Sequence, residues 1–228
     1  NEVSGEVELL DEIQTMAWYD DDGDNVFEPG GESGGEVDVV LVLDRSGSMA
    51  GDKNDEMRAA AKNLVDALTL GANAAQVGIV SFADQESLDH ALSTSASSVK
   101  GAIDGVGASG STNLEGGVNG AEEELTGADL SQEIDASGNQ RNGADKVMVV
   151  LSDGSPNVDD NEQGGSDGDD DPVDEASRAI GNGIEIYTVG FGVSSGSTTA
   201  QTLEDMASEP EEDHFYLGQT GELQQIFG

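Results

Sequence analysis

The chain has 228 residues, enough for one large domain or a domain with an appendage, and enough to bury a core. It carries 48 Asp+Glu against 8 Lys+Arg, a formal net charge of −40, and no cysteine. That balance leaves no basic patch to neutralise phosphates, so nucleic acid is excluded as a partner. The missing cysteines exclude disulfides, thiol catalysis and thiolate zinc sites.

The acid is spread along the whole chain, often in Asp/Glu–Gly–Ser stretches. Self-repulsion at this charge is severe in dilute buffer, but the Debye length falls to roughly 3 Å at molar salt. The composition resembles that of proteins from extreme halophiles, and recurrent apolar periodicity argues against an acidic disordered chain. No apolar run approaches the length of a membrane span. The chain opens on Asn1 rather than Met, as expected of a processed or excised piece whose signal or anchor lies outside it.

Residues 1–35 read as an acidic N-terminal extension, with a boundary near Glu36. Within it, "DDDGDNVFEPGGE" places Asp20, Asp22 and Asp24 at alternate positions, then Glu28, with Glu32 thirteenth. The stretch 20–32 partly resembles an EF-hand-like or dockerin-like calcium loop, which implies an additional Ca2+. It departs from that pattern at Asn25, where glycine is expected, and in its terminal carboxylate, which comes one residue late. The surrounding "WYDDDGDNVFEPGGE" also resembles calcium-loop stretches of secreted proteins of the camelysin/TasA kind. The competing reading is a solvated acidic linker.

From 36 to 228 strand and helix alternate. "VDVVLVLD" (37–44) predicts a buried strand, and "NDEMRAAAKNLVDALTL" (54–70) an amphipathic helix with Met57, Ala61, Leu64, Val65 and Leu68 on one face. Strands follow at 75–84 and, weakly, 87–93, then helices at 96–106 and 111–125 and a polar insertion at 127–143. "DKVMVVLSDG" (145–154) is a strand, and a long acidic loop, 154–171, comes next. Asp171–Pro172 reads as the cap and first residue of a helix. A strand at 183–192, a helix at 198–208, a short strand at 214–218 and a helix at 221–227 complete the pattern. Apolar runs this continuous belong to an α/β domain, a doubly wound, Rossmann-like sheet with helices on both faces.

In such sheets ligands sit at the carboxyl ends of strands, where strand order reverses. The first strand delivers Asp44, Ser46 and Ser48 there, the strand at 145–154 delivers Asp153, and a Gly-rich loop delivers Thr112. Two carboxylates and three hydroxyls form a hard, oxygen-only set suited to Mg2+, Ca2+ or Mn2+. Taken singly, each motif also reads as a turn or helix cap; taken together, at the right strand ends, they point to a metal.

"DRSGSM", "GSTN" and "LSDG" resemble the metal-ion-dependent adhesion site of the von Willebrand factor A domain family, with all five positions intact. The resemblance covers 36–228. It implies a sheet of order 3-2-1-4-5-6 with strand 3 antiparallel. It further implies direct metal ligation by Ser46, Ser48 and Thr112, and water-mediated ligation by Asp44 and Asp153. Neutral hydroxyl ligands leave the ion electrophilic, so a partner protein presenting an Asp or Glu carboxylate is expected to complete its shell.

An enzyme is not expected: His90 and His214, the two histidines, lie at short outer strands, away from Ser46 and Ser48. The loop residues Asp159, Asp160, Glu162, Asp167, Asp169, Asp170 and Asp171 read as a solvated charge run, with a second cation site as the alternative. The expected function is metal-dependent protein binding in adhesion or surface assembly, outside the cell. The rivals are an intracellular substrate adaptor for an AAA+ ATPase, as in relatives of magnesium chelatase subunits, and a scaffold with a vestigial metal site.

Overall fold

The computed structural model describes residues 18–19, 28–29, 35–130, 133–154, 156–157 and 171–218. Its centre is a sheet of six strands: β1 (Val37–Asp44), β2 (Ala75–Phe82), β3 (Glu86–Ser93), β4 (Asp145–Ser152), β5 (Ile184–Phe191) and β6 (Phe215–Gly218). The helices are α1 (Asp52–Ala67), α2 (Ala96–Gly105), α3 (Leu114–Thr126), α4 (Pro172–Gly181), α5 (Thr198–Met206) and the single turn α6 (Glu211–His214). The spatial order of the strands is 3-2-1-4-5-6, and every neighbouring pair is parallel except β2 and β3.

The strands are continuous apolar runs because the sheet is covered twice. Val39, Leu41 and Leu43 of β1 pack with Met57, Ala61 and Leu64 of α1 and Val99 and Ile103 of α2. Val40 and Val42, of opposite parity, pack with Leu114, Val118 and Leu125 of α3 and with residues of α4 and α5. Full burial of side chains of this size stabilises by about 1.5–3 kcal/mol each. β3 is the exception, with most of its residues partly exposed, as suits an edge strand on one side of the sheet.

Helix α3 lies unusually close to the sheet. A Cβ at Gly117 would stand 2.6 Å from the Phe82 ring, so the absence of a side chain there sets the approach. The insertion after α3 is tied down by acid as well as by apolar contact. Glu123 accepts from the backbone N–H of Leu130 and Ala136, and Glu124 accepts from the N–H of Leu92 and Ser137 and from the Ser137 hydroxyl. Ile134 leans into the space that the missing Cβ of Gly120 leaves.

The predicted elements are all present where the structure describes them, with shifted ends. Helix α1 begins two residues before the expected Asn54, because Gly51 takes a φ of 83° and makes the turn into it. It ends at Ala67, since Leu70 leaves to bridge with Ala75. Helix α3 starts at Leu114, not at Ser111, and α6 was not expected at all. Trp18–Tyr19 pairs antiparallel with Glu28–Pro29. The expected helix 221–227, Asp20, Asp22, Asp24, Glu32 and the acidic run from Asp159 to Asp170 lie outside the described residues, as does the side chain of Glu28.

Candidate metal centre

β1 and β4 are adjacent and parallel, paired as Leu43 with Leu151, so Asp44 and Ser152 end up side by side at the carboxyl edge. Asp44 is fully buried. One carboxylate oxygen accepts from the Ser46 backbone N–H at 2.8 Å, and the other from the Ser152 hydroxyl at 2.6 Å. Burial pushes the Asp44 carboxyl up from its ordinary range; the Ser152 and Ser46 hydrogen bonds pull it partly back, and the nearby charge of Asp153 adds to the rise. A cation beside it would favour the ionised form.

Ser46 and Ser48 follow on a tight turn that passes into one 3-10 turn, Gly47–Met49. Their hydroxyls stand 2.9 Å apart. The Ser48 hydroxyl donates to Asp153 at 2.7 Å, and the Lys53 ammonium, from the first turn of α1, donates to the other Asp153 oxygen. Thr112 is buried beside this group. A Cβ built on Gly154 would lie 3.6 Å from the Thr112 hydroxyl and 3.7 Å from that of Ser48, so both oxygens face the same small space above the β4 end. Asp44, Ser46, Ser48, Thr112 and Asp153 therefore converge.

The helix-cap alternative fails for each hydroxyl. Asn113, not Thr112, caps α3, accepting from the Gly116 N–H at 3.0 Å. The α1 cap position is Gly51, and Ser46 makes no capping bond. The hydroxyls are thus held at the edge without a structural role at a helix end.

Backbone bonds lace the three loops together. Gly47 N–H donates to Gly110 O at 2.9 Å, Ser109 N–H to Arg45 O at 2.7 Å, and Asn113 N–H to Ala83 O at 2.8 Å. Asp84 sits under Gly110, accepting from the Ser111 N–H. A Cβ on Gly110 would meet the Asp84 carboxylate at 2.8 Å, and its φ of 91° suits only glycine. Asn157 clamps Thr112 from the far side: the Asn157 side-chain oxygen accepts from Thr112 N–H at 2.9 Å, and Asn157 N–H donates to Thr112 O at 3.0 Å.

Sequence reasoning missed Ser152, Asn157 and Lys53. Ser152 could have been found from strand register, as the residue opposite Asp44. Nothing in the sequence singled out Asn157, which sits in an acidic, glycine-rich loop.

The set fits a hard divalent cation: five oxygen-bearing side chains, two of them carboxylates, with no histidine among them. Among the described residues no group of three or more His, Asp or Glu could hold a metal ion, so an ion here would rest on the hydroxyls as well as on the two carboxylates. His90, on the edge strand, contacts Ala91 O and Ser98, and buried His214 contacts Pro210 O and Glu185.

The family model of the von Willebrand factor type A domain matches residues 38–228. The chain belongs to that family. Mouse matrilin-2 is 26% identical over 194 residues, 81% of this chain and 18% of matrilin-2. The mouse collagen alpha-6(VI) chain is 28% identical over 177 residues, 77% of this chain and 7% of that one. The chain thus spans a small fraction of these relatives. Among solved structures, the vWF domain of the type V pili tip protein Mfa5 from Porphyromonas gingivalis superposes with a TM-score of 0.67 at 16% identity, covering 84% of this chain and 92% of that one. Proximal thread matrix protein 1 from the mussel byssus, with a zinc-occupied adhesion-site motif, gives a TM-score of 0.64 at 25% identity, covering 84% of this chain and 44% of that one. Among the described residues no helix is long and apolar enough to cross a membrane.

Proposed function

We propose that this domain is a metal-dependent protein-binding module for adhesion or surface assembly, in which Asp44, Ser46, Ser48, Thr112 and Asp153 hold one Mg2+, Ca2+ or Mn2+ ion. The observation that carries this reading is the convergence of three hydroxyls and two carboxylates at the adjoining ends of β1 and β4. Ligation by neutral hydroxyls leaves much of the ion's charge uncompensated. A partner Asp or Glu carboxylate then completes the shell, which is recognition rather than catalysis. Both histidines are engaged elsewhere, which supports a non-enzymatic role. The names of the relatives, among them matrilins, a pilus tip protein and a byssal thread matrix protein, support a place outside the cell. Zinc in the byssal protein's motif supports divalent occupancy here.

Calorimetric titration in molar KCl tests the site. Asp44→Ala should bind one ion fewer than wild type while keeping its fold; equal stoichiometry and affinity in both proteins rejects the assignment. The charge of −40 supplies a second test. It repels an acidic partner at long range, and that repulsion fades as salt shortens the Debye length. Association should therefore strengthen from roughly 0.1 M to above 1 M salt, the reverse of charge-steered binding, and should vanish with chelator. A partner retained in chelator rejects the metal bridge. The N-terminal carboxylates Asp20, Asp22, Asp24, Glu28 and Glu32 form the second candidate, a separate Ca2+ loop in an organism adapted to high salt. Deleting residues 1–35 should then lower calcium stoichiometry by one, and unchanged stoichiometry makes the segment a linker.

A further inference from the structure

Lys53 is one of only 8 Lys and Arg residues in the chain. It occupies the first turn of α1, where the helix dipole disfavours a cation. Its ammonium bonds to Asp153, whose side chain is fully buried, while the Lys53 side chain is 33% exposed and so reaches Asp153 from the solvent side. The other Asp153 oxygen takes the Ser48 hydroxyl. Lys53 and a divalent ion in the metal centre would thus draw on one carboxylate.

Charge counting gives the consequence. Asp44 and Asp153, even acting through water, offset part of a divalent ion's charge and so part of its pull on an external anion. An ammonium on Asp153 cancels one of the two carboxylate charges, so the loaded site keeps a net positive charge. We propose that Lys53 is a specificity-determining residue of the metal centre: it weakens affinity for the ion and in exchange keeps the bound ion attractive to a partner carboxylate. This rests on the metal-binding reading above.

The test uses Mn2+ as the probe with the full chain, comparing wild type, Lys53→Met and Lys53→Arg in KCl. A charge this close shifts local equilibria by about tenfold or more. Lys53→Met should bind Mn2+ about tenfold more tightly by calorimetry, and Lys53→Arg should stay near wild type. At matched Mn2+ loading, paramagnetic relaxation of acetate protons should be several-fold weaker for Lys53→Met, since acetate reports carboxylate access to the ion. Thermal unfolding checks the fold, and Lys53→Gln replaces the Met variant if that one does not fold. Unchanged or weaker Mn2+ affinity, or unchanged acetate relaxation, overturns the role of Lys53. A wild-type protein that binds no Mn2+ overturns the metal centre itself, a distinguishable result.

Discussion

Asp38 and Asp44 stand at the two ends of one strand, on the same face and both fully buried. Asp38 is sealed by a cation of the protein's own: the Arg141 guanidinium bonds it at 2.8 Å and the Arg141 backbone N–H at 2.7 Å. Asp44 receives a backbone N–H and a serine hydroxyl, both neutral. Desolvation is costly for an ionised carboxylate at either end. At the amino end it is offset within the chain. At the carboxyl end neutral donors offset only part of it, and the charge stays available to a cation from solution. The glutamates of α3 are likewise taken up within the chain. Glu122 is held by Arg178, with bonds of 3.1 and 2.8 Å, and by Asn182, and Glu123 and Glu124 by backbone N–H groups, so this acid organises chain rather than ligand.

The largest effect that would break the comparison is removal of the seal. Arg141→Met leaves Asp38 buried without its cation, and losing one partner of a buried pair costs about 3–5 kcal/mol. Denaturant unfolding in KCl should show that loss while metal affinity, measured without denaturant, stays at the wild-type value. A parallel drop in metal affinity would mean that the two ends of β1 are not independent.

Much of this was legible beforehand because it depends on periodicity and order. Continuous Val/Leu runs identified the doubly covered strands. Asp44, Ser46, Ser48 and Asp153 lie at the ends of such runs and Thr112 in a Gly-rich loop that opens a helix, where local patterning is informative. What could not be read was how each acid would be used. Asp38 and Asp44 flank the same apolar run, and "AEEEL" looks like a solvated stretch, yet Glu122, Glu123 and Glu124 are all buried. Their partners are distant in sequence: Arg178 is 56 residues from Glu122, and Arg141 is 103 from Asp38. Lys53 escaped notice for the same reason, its partner being 100 residues away.

Smaller changes sharpen the ligand side. Thr112→Val keeps the shape and deletes the hydroxyl, which caps nothing, so stability should hold. Metal affinity should fall by about tenfold to a hundredfold. Unchanged affinity by calorimetry would remove Thr112 from the shell. Asn157→Ala should cost less, about tenfold, because it only frees the Thr112 backbone. Asn157→Asp should recover most of that, since a carboxylate oxygen also accepts from the Thr112 N–H.

The smallest effect concerns pH and lies on the sealed side. Glu175 shares Arg178 with Glu122. Burial pushes the Glu175 carboxyl above its ordinary range, Arg178 pulls it part of the way back, and the charge of Glu122 raises it again. A carboxyl whose folded pKa is raised binds its proton more tightly folded than unfolded. Its contribution to stability is therefore fully present below the unfolded value and is lost as pH rises through the folded one. Glu175→Gln has no proton to lose there. The melting temperature of the variant minus that of wild type should increase as pH rises through and just above the ordinary glutamate range, then level off towards neutrality. Arg178 keeps Glu122 in the variant, so the pair that anchors α4 survives the substitution. A difference that stays flat across that window would mean Arg178 compensates Glu175 fully. The acids paired with Arg178 would then carry no residual cost, in contrast to Asp44, whose neutral donors offset its burial only in part.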